Sequence, residues 1–219
     1  MIELRDVEKS YKTTHGSVRI LSGASLLVGR HEKIGIVGRN GAGKSTMIRL
    51  IGGVERPDSG QITRSMSVSW PLAFGGAFQG SLTGLDNARF ICRIYGKNWQ
   101  DHIEYIDDFA ELGKFLREPI NSYSSGMRAR LAFALSMTID FDCFLIDEVV
   151  AVGDDRFREK CQIELFEKRA DRAKIIVSHD ASYVRGYCER LAILHKGQLY
   201  SFSDMDQAFD FYHSATHLI

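Results

Sequence analysis

A short glycine-rich segment contains the residues whose types and spacing most clearly predict chemistry. Residues 38–46 fit the pattern G-x-x-x-x-G-K-[ST]. Small residues allow successive backbone N–H groups to curl around phosphates, and a helix N-terminus adds positive potential. Lys44 would reach the β- and γ-phosphates, and the Ser45 hydroxyl would ligate Mg²⁺. The segment predicts a nucleoside triphosphate site built from Gly38, Arg39, Asn40, Gly41, Ala42, Gly43, Lys44, Ser45 and Thr46.

Two adjacent carboxylates form a second candidate group. Asp147 and Glu148 directly follow the apolar run 143–146, which is typical of a buried strand. Ligands bind beyond the carboxyl ends of strands in α/β sheets. Asp147 suits the Mg²⁺ shell, directly or through water, and Glu148 suits a general base that orients the attacking water. Such a strand end is common by itself, but together with the upstream phosphate loop it favours nucleotide hydrolysis.

A third segment could contact a nucleotide through a helix N-terminus. Residues 123–128 read Tyr-Ser-Ser-Gly-Met-Arg and precede a run of good helix formers. Ser124 can cap that helix, and the exposed N–H groups beyond it can bind a phosphate. Taken alone, the segment is more often an ordinary helix cap, so its weight comes from its position shortly before Asp147.

These groups need an α/β scaffold to position them. A buried strand is expected at 34–37, before the phosphate loop, and a helix at 46–51, after it. The hydrophobic pattern predicts strands at 2–11, 18–28, within 61–70, at 143–146 and at 175–177, helices across 86–139, a hairpin at 191–202 that turns at Lys196-Gly197, and a helix at 205–212. The outline is an α/β core interrupted by an all-helical insert.

The order and spacing of the three motifs resemble those of the ATP-binding cassette ATPases over essentially the whole chain. Tyr123–Met127 is similar to the cassette signature LSGGQ: it keeps the serine and second glycine, as Ser124 and Gly126, and departs at Tyr123, Ser125 and Met127. The resemblance implies a P-loop NTPase (RecA-like) core with an N-terminal antiparallel β-subdomain and an inserted all-helical subdomain. The expected bounds are 1–83 and 140–219 for the core and 84–139 for the helical subdomain, within one nucleotide-binding domain.

The resemblance also assigns roles to outlying residues. It implies that Tyr11 stacks on adenine, that His179 is the catalytic switch histidine and that Asp154 is the D-loop aspartate. Gln79 is the nearby candidate for the Q-loop glutamine and a further Mg²⁺ contact, although it stands closer to Leu82 than in most cassettes. Alone, Tyr11 would more often be a half-buried strand residue, His179 a structural histidine and Asp154 a helix cap.

Two cassettes of this family pack head to tail, with each ATP between the phosphate loop of one and the signature of the other. The resemblance therefore implies a homodimer in which Ser124, Ser125, Gly126 and Met127 act in trans. It also implies that the segment Phe74–Thr83 lies near the groove that receives a membrane permease, with exposed apolar residues such as Phe78 as anchors. An irregular loop packed on its own lobe is the alternative.

Three segments of the sequence are similar to the ATPase of bacterial capsular polysaccharide exporters. They are residues 69–84, Tyr123–Met127 and residues 147–154. The ATPases of O-antigen and teichoic acid exporters share the last two of these segments more than the first. Another glycan therefore remains an alternative cargo. A soluble cassette protein of translation or DNA repair would carry two cassettes or long heptad insertions, and neither is visible. A small-molecule kinase with a phosphate loop would leave Ser124–Met127, Asp154 and His179 unexplained.

Composition is consistent with a single globular domain. The chain has 219 residues, with 28 Lys and Arg against 28 Asp and Glu, so its formal net charge is zero and no basic footprint for nucleic acid is expected. No apolar stretch is long enough to span a membrane, and the N-terminus does not resemble a secretory signal. We therefore expect a cytoplasmic protein, peripheral on the cytoplasmic face of the bacterial inner membrane, with four reduced cysteines.

Overall fold

The computed structural model describes residues 1–14, 16–72, 78–147, 154–178 and 181–217. They form two compact units. The first contains Met1–Pro71, Asp142–Glu148 and Asp171–Ile219, and the second contains Leu72–Phe141 and Val149–Ala170. The division of the chain at 84 and 139 into core and helical subdomain stays a prediction.

The strands of the described chain all lie in the first unit. They are β1 (Ile2–Thr13), β2 (Gly16–Val28), β3 (Lys33–Val37), β4 (Ser59–Arg64), β5 (Val68–Pro71), β6 (Cys143–Asp147), β7 (Ala173–Ser178), β8 (Arg190–His195) and β9 (Gln198–Phe202). The helices are α1 (Lys44–Ile51), α2 (Gly84–Ile94), α3 (Ile103–Ala110), α4 (Ser125–Thr138), α5 (Asp155–Gln162), α6 (Ala181–Tyr187) and α7 (Met205–His217). Among the described residues, none of these helices is long and apolar enough to cross a bilayer.

A small antiparallel sheet has the strand order β2-β1-β4. Ile2 and Leu4 alternate with more exposed residues along β1, which is the pattern of a strand with one buried face. The register places Tyr11 opposite Val18 on β2, and several register shifts bend β1 between Leu4 and Ser10. Tyr11 therefore lies in this sheet, near the C-terminal end of β1.

A larger mixed sheet has the order β5-β6-β7-β3-β8-β9, in which only β9 runs antiparallel to its neighbour. All six residues of β7 are buried, as expected for a central strand covered on both faces. The registers pair Val37 with Ser178 and Asp147 with Val177. The carboxyl ends of β3, β7 and β6 therefore meet at one edge of the sheet, directly before the phosphate loop, His179 and Glu148.

The second unit is helical within the described residues. Phe109 of α3 stacks on Phe133 of α4 with ring centroids 5.5 Å apart, and Phe157 of α5 meets Phe109 edge-on at 5.5 Å. Aromatic pairs at this spacing and geometry add to the stabilisation from burial itself. These aromatic contacts pack α3, α4 and α5 together. The signature-like segment lies at the N-terminus of α4.

The structure confirms the strands, the hairpin and the helical insert expected from the sequence. Most bounds differ from the predicted ones by one or two residues, and the final helix continues further, to His217. The helices α5 and α6 were not predicted from the sequence. Helix ends are weakly specified by hydrophobic pattern alone, because the last turn buries few side chains.

Candidate nucleotide site

The phosphate loop occupies the turn between β3 and α1, as the sequence predicts. Gly43 precedes the helix with φ of 106°, a left-handed conformation that favours glycine, and a Cβ there would lie 2.6 Å from Cγ2 of Ile20. A Cβ on Gly38 would lie 2.8 Å from the carbonyl oxygen of Leu194. Both positions require glycine for space, so the motif has a structural reason in this fold as well as a chemical one.

Lys44 is buried, with 7% of its surface exposed. Its ammonium group donates hydrogen bonds to the carbonyl oxygens of Gly38, at 2.8 Å, and Arg39, at 3.1 Å. A buried ammonium is costly unless it is well hydrogen-bonded, and these carbonyl groups supply that compensation. The charge is thus held at the concave side of the loop, where an anionic phosphate would find it.

A cavity of about 460 Å³ opens at the N-terminus of α1. It is lined by Ile20, Asn40, Gly41, Gly43, Lys44, Ser45, Thr46 and Asp147. The lining joins the phosphate loop to the carboxylate at the end of β6, two features that are far apart in sequence. Its volume falls within the range typical of sites for small molecules.

The oxygen donors of this cavity fit Mg²⁺. The Ser45 hydroxyl and the Asp147 carboxylate both line it, and Mg²⁺ prefers such hard oxygen ligands. Within the described residues there is no cluster of three or more His, Cys, Asp or Glu side chains that could hold a metal by itself. The two donors, Ser45 and Asp147, fit an ion that takes one or two protein ligands. Such an ion completes its coordination shell with phosphate oxygens and water.

Tyr11 lies beside this cavity. Its hydroxyl is 3.5 Å from Oγ1 of Thr46, a residue of the cavity wall, and donates a hydrogen bond of 2.5 Å to Oε2 of Glu55. Arg49 donates to the same hydroxyl at 3.1 Å. The resemblance to the cassette ATPases predicts Tyr11 at this site, but nothing in the sequence indicates Arg49 or Glu55.

Ser124 caps α4, as expected. Its hydroxyl accepts a hydrogen bond of 3.2 Å from the amide of Met127, and both Ser124 and Ser125 are exposed. Tyr123, where the segment departs from LSGGQ, is buried and donates a hydrogen bond of 2.5 Å to the carbonyl oxygen of Phe115. Burial raises the pKa of the Tyr123 phenol to about 12. The tyrosine therefore anchors the segment, while Ser124–Met127 stays accessible from solvent.

Asp154 caps α5 and also contacts the helix that follows the signature-like segment. It accepts a hydrogen bond of 2.9 Å from the amide of Phe157, and Arg130 of α4 donates to it at 3.3 Å. Both contacts, the amide first, hold the pKa of the Asp154 carboxyl below its ordinary value. Arg130 also pairs with Glu111 at 3.0 Å and lies over the ring of Phe157, so it links three elements of the helical unit.

Gln79 lies in the helical unit, whereas the lining of the cavity comes from the first unit. Its side chain donates to the hydroxyl of Ser81 at 3.4 Å, and its backbone is held by Asn87 through hydrogen bonds of 2.9 and 3.1 Å. The expectation that Gln79 contacts Mg²⁺ stays a prediction.

Glu148, His179 and residues 73–77 lie outside the described residues. Phe78 is half-buried, whereas Leu82 of the same segment is 40% exposed.

Sequence reasoning missed Ile20. This residue of β2 lines the cavity and packs against Gly43. Its only sequence signal is an apolar residue in a strand, which most strands contain. Its role becomes visible only when the small sheet is placed beside the phosphate loop.

Known proteins are similar in sequence to this chain over most of its length. A sequence model of the ABC transporter family matches residues 21–151. The chain is 57% identical, over 98% of its own length and 99% of the relative, to the capsule polysaccharide export ATP-binding protein CtrD of Neisseria meningitidis serogroup B. It is 56% identical to the ATP-binding protein BexA of Haemophilus influenzae, over 97% of this chain and 98% of that protein.

Solved structures agree on the fold. The chain superposes, with a TM-score of 0.73 and 23% identity, on a dimeric ATP-binding cassette in a post-hydrolysis state bound to ADP and phosphate, covering 92% of this chain and 98% of that one. At this identity the likeness shows the fold alone. Together with the sequence matches it establishes that the chain belongs to the ABC transporter family, which confirms both the resemblance and the fold class expected from the sequence.

Proposed function

We propose that this chain is the ATP-hydrolysing subunit of an ABC exporter that moves capsular polysaccharide across the bacterial inner membrane. The observation that carries the proposal is the cavity in which the phosphate loop and Asp147 meet. The near full-length likeness to the capsule export ATP-binding protein of Neisseria meningitidis supports the cargo.

Each residue of the site then has a role in phosphoryl transfer. The loop N–H groups and Lys44 hold the β- and γ-phosphates, and Ser45 and Asp147 would hold Mg²⁺, which would supply neutralising positive charge. Glu148 orients the attacking water and His179 contacts the γ-phosphate. Tyr11 stacks on adenine, and Gln79 would add a contact to the ion. Positioning and electrostatic stabilisation supply most of the catalysis in this chemistry, so these residues act by placement.

A second copy of the chain completes each site. One chain has one phosphate loop and one signature-like segment, so a head-to-tail homodimer places Ser124–Met127 against the ATP held by the partner's loop. The exposed Ser124 and Ser125 and the amides at the N-terminus of α4 suit an anion. ATP closes this dimer and hydrolysis opens it, which makes the dimer a ligand-driven two-state element.

The dimer transmits its motion to a membrane permease. We propose that the docking surface includes Phe74–Thr83. The described part of this segment, 78–83, leads into α2 and offers Leu82 as an exposed apolar contact. Bound in this way, the protein is peripheral on the cytoplasmic face of the inner membrane. The membrane subunit, together with upstream synthesis, would determine which polymer is carried.

The purified chain tests the motor directly. Glu148→Gln should form an ATP-dependent dimer in analytical ultracentrifugation and hydrolyse ATP far more slowly than the wild type. Glu159→Gln removes an exposed carboxylate from α5 and is the matched control, expected to hydrolyse ATP at the wild-type rate. Normal hydrolysis by Glu148→Gln would remove Glu148 from the role of base.

A further inference from the structure

The ring of Tyr11 is tethered through its hydroxyl. This group donates to Oε2 of Glu55 at 2.5 Å and accepts from Arg49 at 3.1 Å, while Arg49 and Glu55 pair with each other at 2.5 Å. A strand residue is thus joined to a helix residue and to the turn that follows that helix. The three side chains form a closed triangle of hydrogen bonds.

The triangle reaches the phosphate loop through Thr46. Its hydroxyl lies 3.5 Å from the Tyr11 hydroxyl and 3.4 Å from Nη2 of Arg49, and Thr46 lines the nucleotide cavity. Since Thr46 and Arg49 are both on α1, the helix that begins at the loop also fixes the end of the Tyr11 side chain. The ring and the loop therefore share one rigid support.

The triangle holds an ionised carboxylate. Burial opposes the charge of Glu55, but the hydrogen bonds from Tyr11 and Arg49 outweigh it and hold the pKa of the carboxyl below its ordinary value. Hydrogen bonds to charged groups are shorter and stronger than those between neutral groups. The tether is therefore stronger than a bond between two neutral side chains.

One face of the Tyr11 ring is also occupied. The ammonium of Lys9 lies over the ring, 5.6 Å from its centroid, and is itself held by the carbonyl oxygen of Arg56 at 2.8 Å and by Asp58 at 3.2 Å. A planar base that stacks on this ring would therefore have to take the opposite face.

We infer that Arg49 and Glu55 are positioning residues that set the Tyr11 ring, before nucleotide arrives, in the orientation in which it stacks on adenine. The inference rests on the proposed function, because it takes Tyr11 as the adenine contact. A ring already fixed in its bound orientation loses less conformational freedom on binding, so the tether raises affinity for the base without touching it.

The test separates binding of the base from binding of the phosphates. Dissociation constants are measured by calorimetry for ATP and for inorganic tripolyphosphate, each with Mg²⁺, and their ratio reports the contribution of the base. Tyr11→Phe keeps the ring and removes the tether, Glu55→Gln removes the charge of the acceptor, and Tyr11→Ala removes the ring. Glu3→Gln, which breaks an exposed ion pair on the same strand, is the matched control.

We expect Tyr11→Phe and Glu55→Gln each to lower the preference for ATP over tripolyphosphate by about three- to tenfold, the range expected when one side chain must be ordered on binding. Tripolyphosphate affinity should not change, and the double variant should lose little more than either single one, because both break the same tether. Equal losses for ATP and tripolyphosphate would show that the triangle only supports α1, and would overturn the inference.

Failure of the inference is distinguishable from failure of the adenine assignment. If Tyr11→Ala abolishes the preference for ATP while Tyr11→Phe and Glu55→Gln keep it in full, the ring stacks without help from the tether and the inference is wrong. If Tyr11→Ala also keeps the preference, Tyr11 is not the adenine contact, and the inference falls together with that part of the proposed function.

Discussion

The ammonium of Lys44 donates a hydrogen bond of 2.8 Å to the carbonyl oxygen of Gly38, six residues earlier, and so closes the phosphate loop on itself. The same buried charge holds the loop in shape and presents a cation to the cavity that Asp147 lines. Loop structure and phosphate affinity therefore depend on one side chain.

Replacing this lysine should weaken nucleotide binding strongly. Lys44→Ala removes a charge-assisted contact to phosphate and the ties to Gly38 and Arg39, so we expect ATP affinity to fall about tenfold or more by calorimetry. Lys33→Ala is the control. Lys33 begins β3, at the end of that strand away from the phosphate loop, and pairs at 3.9 Å with the exposed Glu189. Equal affinities for the wild type and Lys44→Ala would contradict the assignment of the loop.

Two glycines of the loop differ in what an added methyl group would meet. At Gly41, φ is 82° and no atom lies within 4 Å of a Cβ, so Gly41→Ala adds backbone strain of about 1–2 kcal/mol. At Gly43, φ is 106° and the Cβ would lie 2.6 Å from Ile20, so Gly43→Ala adds a clash to the strain. Urea unfolding should therefore rank Gly43→Ala below Gly41→Ala in stability, and the reverse order would contradict the close contact between Gly43 and Ile20.

Ser124 allows helix capping to be separated from catalysis. Ser124→Ala should destabilise the protein by about 1 kcal/mol through loss of the cap, whereas Ser124→Asn keeps a good cap and should unfold near the wild-type temperature. Both should lose ATP hydrolysis, because neither offers the serine hydroxyl to the partner's nucleotide. Full activity of Ser124→Asn would show that the segment is only a helix cap.

The ion pairs of Glu164 should make part of the free energy of unfolding depend on pH. It is 6% exposed and accepts from Lys168 at 2.6 Å and Arg169 at 2.5 Å. Burial raises the pKa of its carboxyl, but these bonds outweigh burial and leave the pKa below its ordinary value. The stabilisation is then fully present above the unfolded pKa and is lost as the pH falls through the lower folded pKa.

Glu164→Gln should accordingly cost about 1–3 kcal/mol at pH 7. The deficit should shrink below the ordinary glutamate pKa, as the wild-type carboxyl becomes protonated. Urea unfolding at several pH values measures this deficit. Glu167→Gln, which removes an exposed carboxylate from the same segment, is the matched control. A deficit that does not change with pH would contradict the ion-pair account.

The sequence predicts the scaffold well because its signals are local. Buried strands appear as short apolar runs such as Ile34–Val37, and the phosphate loop has a fixed spacing next to one of them. Ser124 and Asp154 could be recognised as caps because a cap bonds to an amide three residues away. These features depend on residues that are close along the chain.

The parts that could not be predicted depend on long-range contacts. Arg49 and Glu55 meet Tyr11 from 38 and 44 residues away, and neither has a distinctive spacing in the sequence. Ile20 becomes a wall of the site only because β2 passes the phosphate loop. Arg130 shows its connection to Asp154 only when α4 and α5 are packed together.

The most direct test of the central claim is the location of polysaccharide in the host strain that carries Glu148→Gln. Surface and intracellular polymer are assayed separately, with the wild type and Glu159→Gln as controls. We expect polymer to accumulate inside the Glu148→Gln cells while their surface stays bare, and both controls to keep a normal coat. An unchanged surface coat on the Glu148→Gln strain would contradict the claim that this ATPase drives polysaccharide export.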